Sequence, residues 1–200
     1  VIRVNRNPVG NMTISLQRGS RKRKQPMVTR RIVTANNEQG QSYFRHDGPT
    51  PGVVDLGEFV DEEIWRDDPA INDPNCEADP AEADIFTLSP PLNGSIVRVF
   101  TFQPKTRKHL NPAAQMPSPQ RFDAGNAMET ARPGMHTTPT IDYGIVLSGH
   151  INLELDLGTV ALEQGDIVVQ RATAHAWRNV SEAPCTMLFV LISSPNYAAK

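Results

Sequence analysis

Residues 135–194 read MHTTPTIDYGIVLSGHINLELDLGTVALEQGDIVVQRATAHAWRNVSEAPCTMLFVLISS. Short runs rich in Val, Ile, Leu and Thr alternate here with turn signals at Ser148-Gly149, Leu157-Gly158, Gln164-Gly165 and Glu182-Ala183-Pro184. Strands of this length, broken at intervals of roughly 8–12 residues, predict an antiparallel sandwich or barrel. On the last run Met187, Phe189 and Leu191 alternate with Leu188, Val190 and Ile192. One set is expected to line a lumen and the other an outer face that is itself covered, because both are apolar.

The parity of the polar residues within that pattern points to a site. His136, Thr138, Thr140 and Asp142 fall on alternate positions, so on an extended chain they face the same way, as do His175 and Trp177 on a later strand. Two imidazoles and a carboxylate facing a cavity form a set suited to non-haem Fe(II), and able to hold Zn, Mn or Ni with water completing the shell. The same three residues without a metal would make a hydrogen-bonded acid/base group. His136, Asp142 and His175 are therefore the candidate catalytic residues and, if one divalent metal is bound, its ligands. Thr138, Thr140, Gln170, Arg171, Trp177 and Phe189 are the candidate substrate contacts. Arg171 suits a bidentate pair with a carboxylate or a place at the solvated rim, and Trp177 suits an apolar ligand body. Tyr143 has the opposite parity to Asp142 and is read as packing.

The arrangement resembles the cupin superfamily. The first cupin motif, G-x5-H-x-H-x3,4-E-x6-G, is matched by His136, with Thr138 at the second His, Asp142 at the Glu and Gly149 at the closing Gly. The second motif is matched by Gly165, His175 and Asn179, with Arg171 where the family has Pro and Thr173 where it has Gly. This resemblance implies an all-β fold, a double-stranded β-helix or jelly-roll barrel, here with an N-terminal extension and long loops. It also implies a small organic ligand, pairing of barrels into a homodimer, and kinship with small cupins that tailor polyketides and other secondary metabolites. It gives no single reaction. The expectation is lyase- or isomerase-type acid/base chemistry (decarboxylation, dehydration or proton transfer) on a small oxygenated, polyketide-like metabolite, metal-assisted or not. An Fe(II)-dependent dioxygenase and a non-catalytic small-molecule-binding cupin are the alternatives. In the acid/base version His175 is the base, His136 the acid, and Asp142 fixes an imidazole tautomer.

The rest of the chain frames that barrel. Its 200 residues, 38% of them hydrophobic, suffice for one core, and the barrel domain is expected over 28–196. Residues 28–46 predict a hairpin turning at Asn36–Gly40, and GSIVRVFTF at 94–102 a strand with Ile96, Arg98, Phe100 and Phe102 on one face. Residues 47–84, rich in Pro, Asp and Gly, read mostly as loop, with a short helix or strand near Phe59–Trp65. Residues 103–134 read as a long loop at the pocket mouth.

Charge is nearly balanced, with 20 Lys and Arg against 22 Asp and Glu, but it is unevenly placed. Residues 1–27 form a basic arm containing RKRK at 21–24, which is read as solvated or docked on the acidic stretch 55–84. Without a helix-turn-helix pattern, nucleic acid is not an expected partner. Met12 and Met27 are both available as native starts. No run approaches a membrane span, and two cysteines in unlike settings, Cys76 and Cys185, do not form a disulfide framework, so the expected setting is cytoplasmic.

Overall fold

The computed structural model describes residues 28–69, 79–82, 86–104 and 127–194, together with the backbone of three short strands at 3–6, 12–15 and 122–123. In chain order the strands are β1 (Arg3–Arg6), β2 (Met12–Ser15), β3 (Arg30–Asn36), β4 (Ser42–Pro49), β5 (Gly52–Asp55), β6 (Phe59–Asp67), β7 (Phe86–Thr87) and β8 (Ser95–Phe102). They continue as β9 (Phe122–Asp123), β10 (Thr140–Ser148), β11 (His150–Leu155), β12 (Gly158–Glu163), β13 (Ile167–Arg171), β14 (His175–Arg178) and β15 (Cys185–Ser193). One 3-10 turn, Pro80–Glu82, interrupts them. No helix among the described residues is long and apolar enough to cross a membrane.

Hydrogen-bonded order runs β13-β10-β15-β8-β6-β5 in a six-stranded sheet and β12-β11-β14 in a three-stranded one. Alternation decides which face of each strand turns inward. On β10, Asp142, Gly144 and Val146 are buried while Tyr143 is exposed, and on β15 the buried set is Met187, Phe189 and Leu191. These join Ile151, Leu153 and Leu162 of the smaller sheet in one core, against which Phe100, Phe102, Val168 and Trp177 pack. The two sheets thus share a single apolar interior, as a jelly roll requires.

Two glycines fit where a side chain would not. Gly149, the closing glycine of the first motif, has φ +83, and a Cβ there would stand 2.6 Å from the Pro184 carbonyl oxygen. At Gly144 a Cβ would come within 2.9 Å of the Phe189 ring, so the missing side chain is what lets that ring lie across the strand.

The acidic middle of the chain differs from expectation. Residues 47–84 were expected to be mostly loop, yet β5 and the nine-residue β6 lie there as the outer part of the main sheet. Asp61, Glu62 and Glu63 are buried because each has a partner. Asp61 meets Arg98, Glu63 is held in a two-bonded pair by Arg66, and Glu62 accepts the backbone N–H of Thr29 at 2.5 Å. Pairing replaces the water these charges would otherwise need. The β3–β4 hairpin forms as expected, its turn tied by Asn37 Oδ1, which accepts the N–H groups of Gln39 and Gln41. The basic run 21–24, Cys76 and most of the expected mouth loop lie outside the described residues.

Candidate functional site

Both histidines sit where the two halves of the barrel meet. The segment before β10 runs antiparallel to the start of β14, and His136 and His175 form the bridging pair. Each donates its backbone N–H to the other's carbonyl at 3.0 Å. That pairing places the two rings side by side, with centroids 4.2 Å apart. His175 Nδ1 lies 2.9 Å from the Thr173 carbonyl, and His136 Nδ1 lies 3.1 Å from that of Gly134. Because a carbonyl can only accept, both Nδ1 atoms carry the proton and each Nε2 keeps a free lone pair. Burial holds both imidazoles below the usual histidine range. His175 is pushed down to about 4 by its burial and then by the neighbouring His136. At neutral pH both rings are uncharged bases.

The loop that aims His175 is unusual in its backbone. Ala172 adopts φ +49, a left-handed conformation that costs a residue with a Cβ roughly 1 kcal/mol. Its N–H bonds the Thr140 carbonyl at 3.0 Å, and Gln170 donates to the Thr173 hydroxyl and carbonyl. Asn179, the last residue of the second motif, donates to the carbonyls of Phe102 and Ala183 and so ties the β14–β15 connection to β8.

Asp142 stands on β10 and faces the same interior. Burial raises its carboxyl to about 6, an effect the Thr140 hydroxyl bonded to it and the charge of Arg98 only partly offset. Thr138 and Thr140 are in turn hydroxyl to hydroxyl at 2.7 Å. With Thr140 donating to the carboxylate, Thr138 donates to Thr140. Thr138, at the position where the motif has its second His, therefore serves a hydroxyl chain that supports Asp142. The imidazole tautomers, which the sequence reading gave to Asp142, are set by backbone carbonyls instead.

These side chains open onto one cavity of about 690 Å³. His136, Thr138, Asp142, Gln170, His175, Trp177 and Phe189 all line it, so seven of the nine expected site residues are brought together. Thr140 is buried just behind the wall, and Arg171 projects from the exposed face of β13, away from the cavity. Phe100, Phe102, Trp177 and Phe189 form a connected aromatic wall. Both described flanks of the 103–134 segment contribute, through Gln103 and Pro104 on one side and Met128 and Pro133 on the other. Arg98 also reaches the cavity and was not among the expected site residues. Its signal was one cation in the middle of an otherwise apolar strand, on the face that points inward.

The metal centre that the resemblance implies does not assemble from these residues. Among the described residues no three His, Cys, Asp or Glu side chains gather as a metal-binding group. The two imidazoles are prepared as ligands are, with Nδ1–H anchored, but Thr138, at the second His position, is engaged with Thr140.

Residues 127–191 match the cupin-domain family. The chain is 30% identical over 171 residues to the cupin-domain-containing oxidoreductase srdD of Neurospora crassa, across 81% of this chain and 74% of that protein. It is 34% identical over 110 residues to the cupin-domain-containing oxidoreductase virC of Hypocrea virens, across 52% of this chain and 44% of that protein. Phomopsin biosynthesis cluster protein C′ of Diaporthe leptostromiformis is 48% identical over 69 residues, 32% of this chain and 36% of that protein. The match thus spans about a third of the phomopsin-cluster relative and less than half of the virC protein.

Proposed function

The chain belongs to the cupin superfamily, and from that membership we propose that it is a tailoring enzyme acting by acid/base chemistry on a small oxygenated metabolite. The observation that carries this reading is the pair of neutral imidazoles, each with Nδ1–H anchored and Nε2 free, at the wall of an aromatic cavity. A lone pair fixed at the wall of an aromatic-lined cavity is what proton abstraction beside a carbonyl needs. His175 Nε2 takes the proton from carbon, and the C–H electron pair moves into the carbonyl as an enolate. Where a β,γ double bond extends the enolate to a dienolate, reprotonation at the γ carbon, from His175 or through His136, completes an isomerisation. Where a β-hydroxyl is present, the enolate pair instead forms the C=C bond as the C–O bond breaks, and the imidazolium returns its proton to the leaving oxygen, which departs as water and completes a dehydration. The Asp142 carboxylate offsets the imidazolium charge while it lasts.

The names of the relatives support a second reading, oxidation of the same class of metabolite with a redox metal held by His136, His175 and Asp142. The donor set described above does not favour it. Metal analysis of protein purified without a His tag separates the two. Acid/base chemistry expects no stoichiometric redox-active metal, and one such ion per chain would favour the oxygenase. A direct test is hydrogen–deuterium exchange at carbon. The protein in D2O should accelerate label uptake next to the carbonyl of small aryl ketones, and His175→Gln should lose most of that acceleration, about 100-fold or more. Uptake no faster than in buffer across such a panel would count against the proposal.

The same reading makes the protein a cytoplasmic homodimer. Supporting it, Tyr143, Ile167, Val169 and Ile192 are exposed together on the outer face of the main sheet, and Cys185 is a buried free thiol.

A further inference from the structure

Two side chains that line the cavity, Arg98 and Asp142, each keep one buried polar atom without a protein partner, and the two atoms are of opposite kind. Arg98 is 0% exposed. Its Nη1 donates to Asp61 at 3.2 Å and its Nη2 to the Thr87 carbonyl at 2.8 Å, but Nε has no acceptor. Asp142 is 5% exposed, with a carboxylate oxygen held by the Thr140 hydroxyl while Oδ1 has no donor. Both residues line the same cavity. They stand on β8 and β10, the two neighbours of β15, with Arg98 opposite Phe189 and Asp142 opposite Leu191. Their backbones are thus two strand spacings, roughly 10 Å, apart, and the arginine is long enough to span much of that distance. Unmatched buried polar atoms are uncommon and costly, and a ligand that satisfies them recovers that cost.

We propose that this part of the cavity is a subsite for a neutral hydroxy-carbonyl group, the carbonyl oxygen accepting from Arg98 Nε–H and the hydroxyl donating to Asp142 Oδ1. The inference rests on the reading of the cavity as the substrate site and adds the class of substrate. Charge argues for a neutral ligand over a carboxylate. Arg98 already faces Asp61 at 3.2 Å and Glu63 at 3.8 Å, and Glu63 is shared with Arg66. With Asp142 added, three carboxylates oppose two guanidinium groups around Arg98, so an anion placed there competes with carboxylates already paired to the same cation; Glu58 and Arg178, also on the cavity wall, carry opposite charges. The apolar body of the ligand has a place as well. Phe100 lies 5.7 Å from the Arg98 guanidinium, and Phe189 packs edge-on against both Phe100 and Trp177.

Binding, measured by calorimetry or ligand-detected NMR, tests the subsite apart from catalysis. The probes are α-hydroxyacetophenone, acetophenone, which keeps the carbonyl and lacks the hydroxyl, and mandelate, which is anionic. The hydroxyketone should bind at least about tenfold more tightly than acetophenone, as expected for a buried bond to a charged acceptor, and mandelate more weakly than either. Asp142→Ala should reduce the hydroxyl's advantage to within about twofold and leave acetophenone unchanged. Arg98→Lys, which keeps a cation beside Asp61 and removes Nε–H, should weaken both ketones. If that variant does not fold, the Asp142→Ala comparison decides alone. Equal binding of the two ketones to the wild-type protein overturns the subsite while leaving the cavity as a ligand site. Mandelate binding most tightly overturns the neutral class. No binding by any probe overturns the subsite and the substrate-site reading together.

Discussion

At the scale of single residues, the site is governed by burial acting in opposite directions on acids and bases. His175 is pushed down to about 4 and Asp142 up to about 6, so His175 stays neutral across the range in which Asp142 ionises. If the active form pairs a neutral His175 with an ionised Asp142, activity should rise with pH on a single limb near 6. Asp142→Asn should abolish that limb, and a limb that survives this substitution would contradict the assignment. Stability follows the same shifts with signs that differ. The unfolded chain protonates His175 near 6.5 and the folded one only near 4, so unfolding takes up a proton in between and stability is lost as pH falls through that window. Asp142 behaves in the reverse sense: its raised folded value contributes stability below the unfolded value, and that contribution is lost as pH rises through about 6. His175→Gln removes the first effect alone. Between pH 7 and pH 4.5 the variant should lose roughly 2–3 kcal/mol less stability than the wild type by denaturant titration.

At the scale of elements, the loop joining β13 to β14 carries a cost that a substitution can expose. Ala172 holds φ +49 so that the Thr173 carbonyl can meet His175 Nδ1. Ala172→Gly relieves the strain in the fold but loosens the unfolded chain, and the two nearly cancel. The variant should fall within about 1 kcal/mol of the wild type and keep its activity, whereas Ala172→Val should lose more than about 1 kcal/mol and lower activity by misplacing His175. Thermal melts and turnover check both. Elements also divide into those that could be read beforehand and those that could not. The strands β10 to β15 and the strand β8 were legible because their apolar residues alternate and their turns carry Gly or Pro. The strand β6 was not, because DEE at 61–63 looks solvated until Arg98, Arg66 and the Thr29 N–H, up to 37 residues away in sequence, are seen to pair with it. The inward parity of His136, Asp142 and His175 was readable from alternation alone. Whether they converge on one ion was not, since convergence depends on how far two sheets stand apart. Arg98 was readable as sharing a face with Ile96, Phe100 and Phe102, but its importance emerges only once its pairing with Asp61 and its place on the cavity wall beside Asp142 are seen.

At the scale of the whole molecule, the outer face of the six-stranded sheet remains to be covered. Tyr143 is 42% exposed, Val169 55% and Ile167 67%, on adjacent strands in register. A second copy meeting this face would bury them, and a Val169→Glu, Ile167→Lys pair should convert the assembly to monomer by light scattering at micromolar concentration without melting the barrel. A wild-type protein that is already monomeric there would refute the dimer. The bridge between His136 and His175 has a further consequence. The same two backbone amides that close the seam between the segment before β10 and β14 also set the spacing of the two imidazole rings. Local breathing of that seam and loss of the reactive geometry are then one event. A bound ligand should act as a clamp, slowing solvent exchange of the His136 and His175 amides well beyond its effect on amides elsewhere in β10 and β14. Exchange at those two positions that is indifferent to occupancy would show that seam and site move independently.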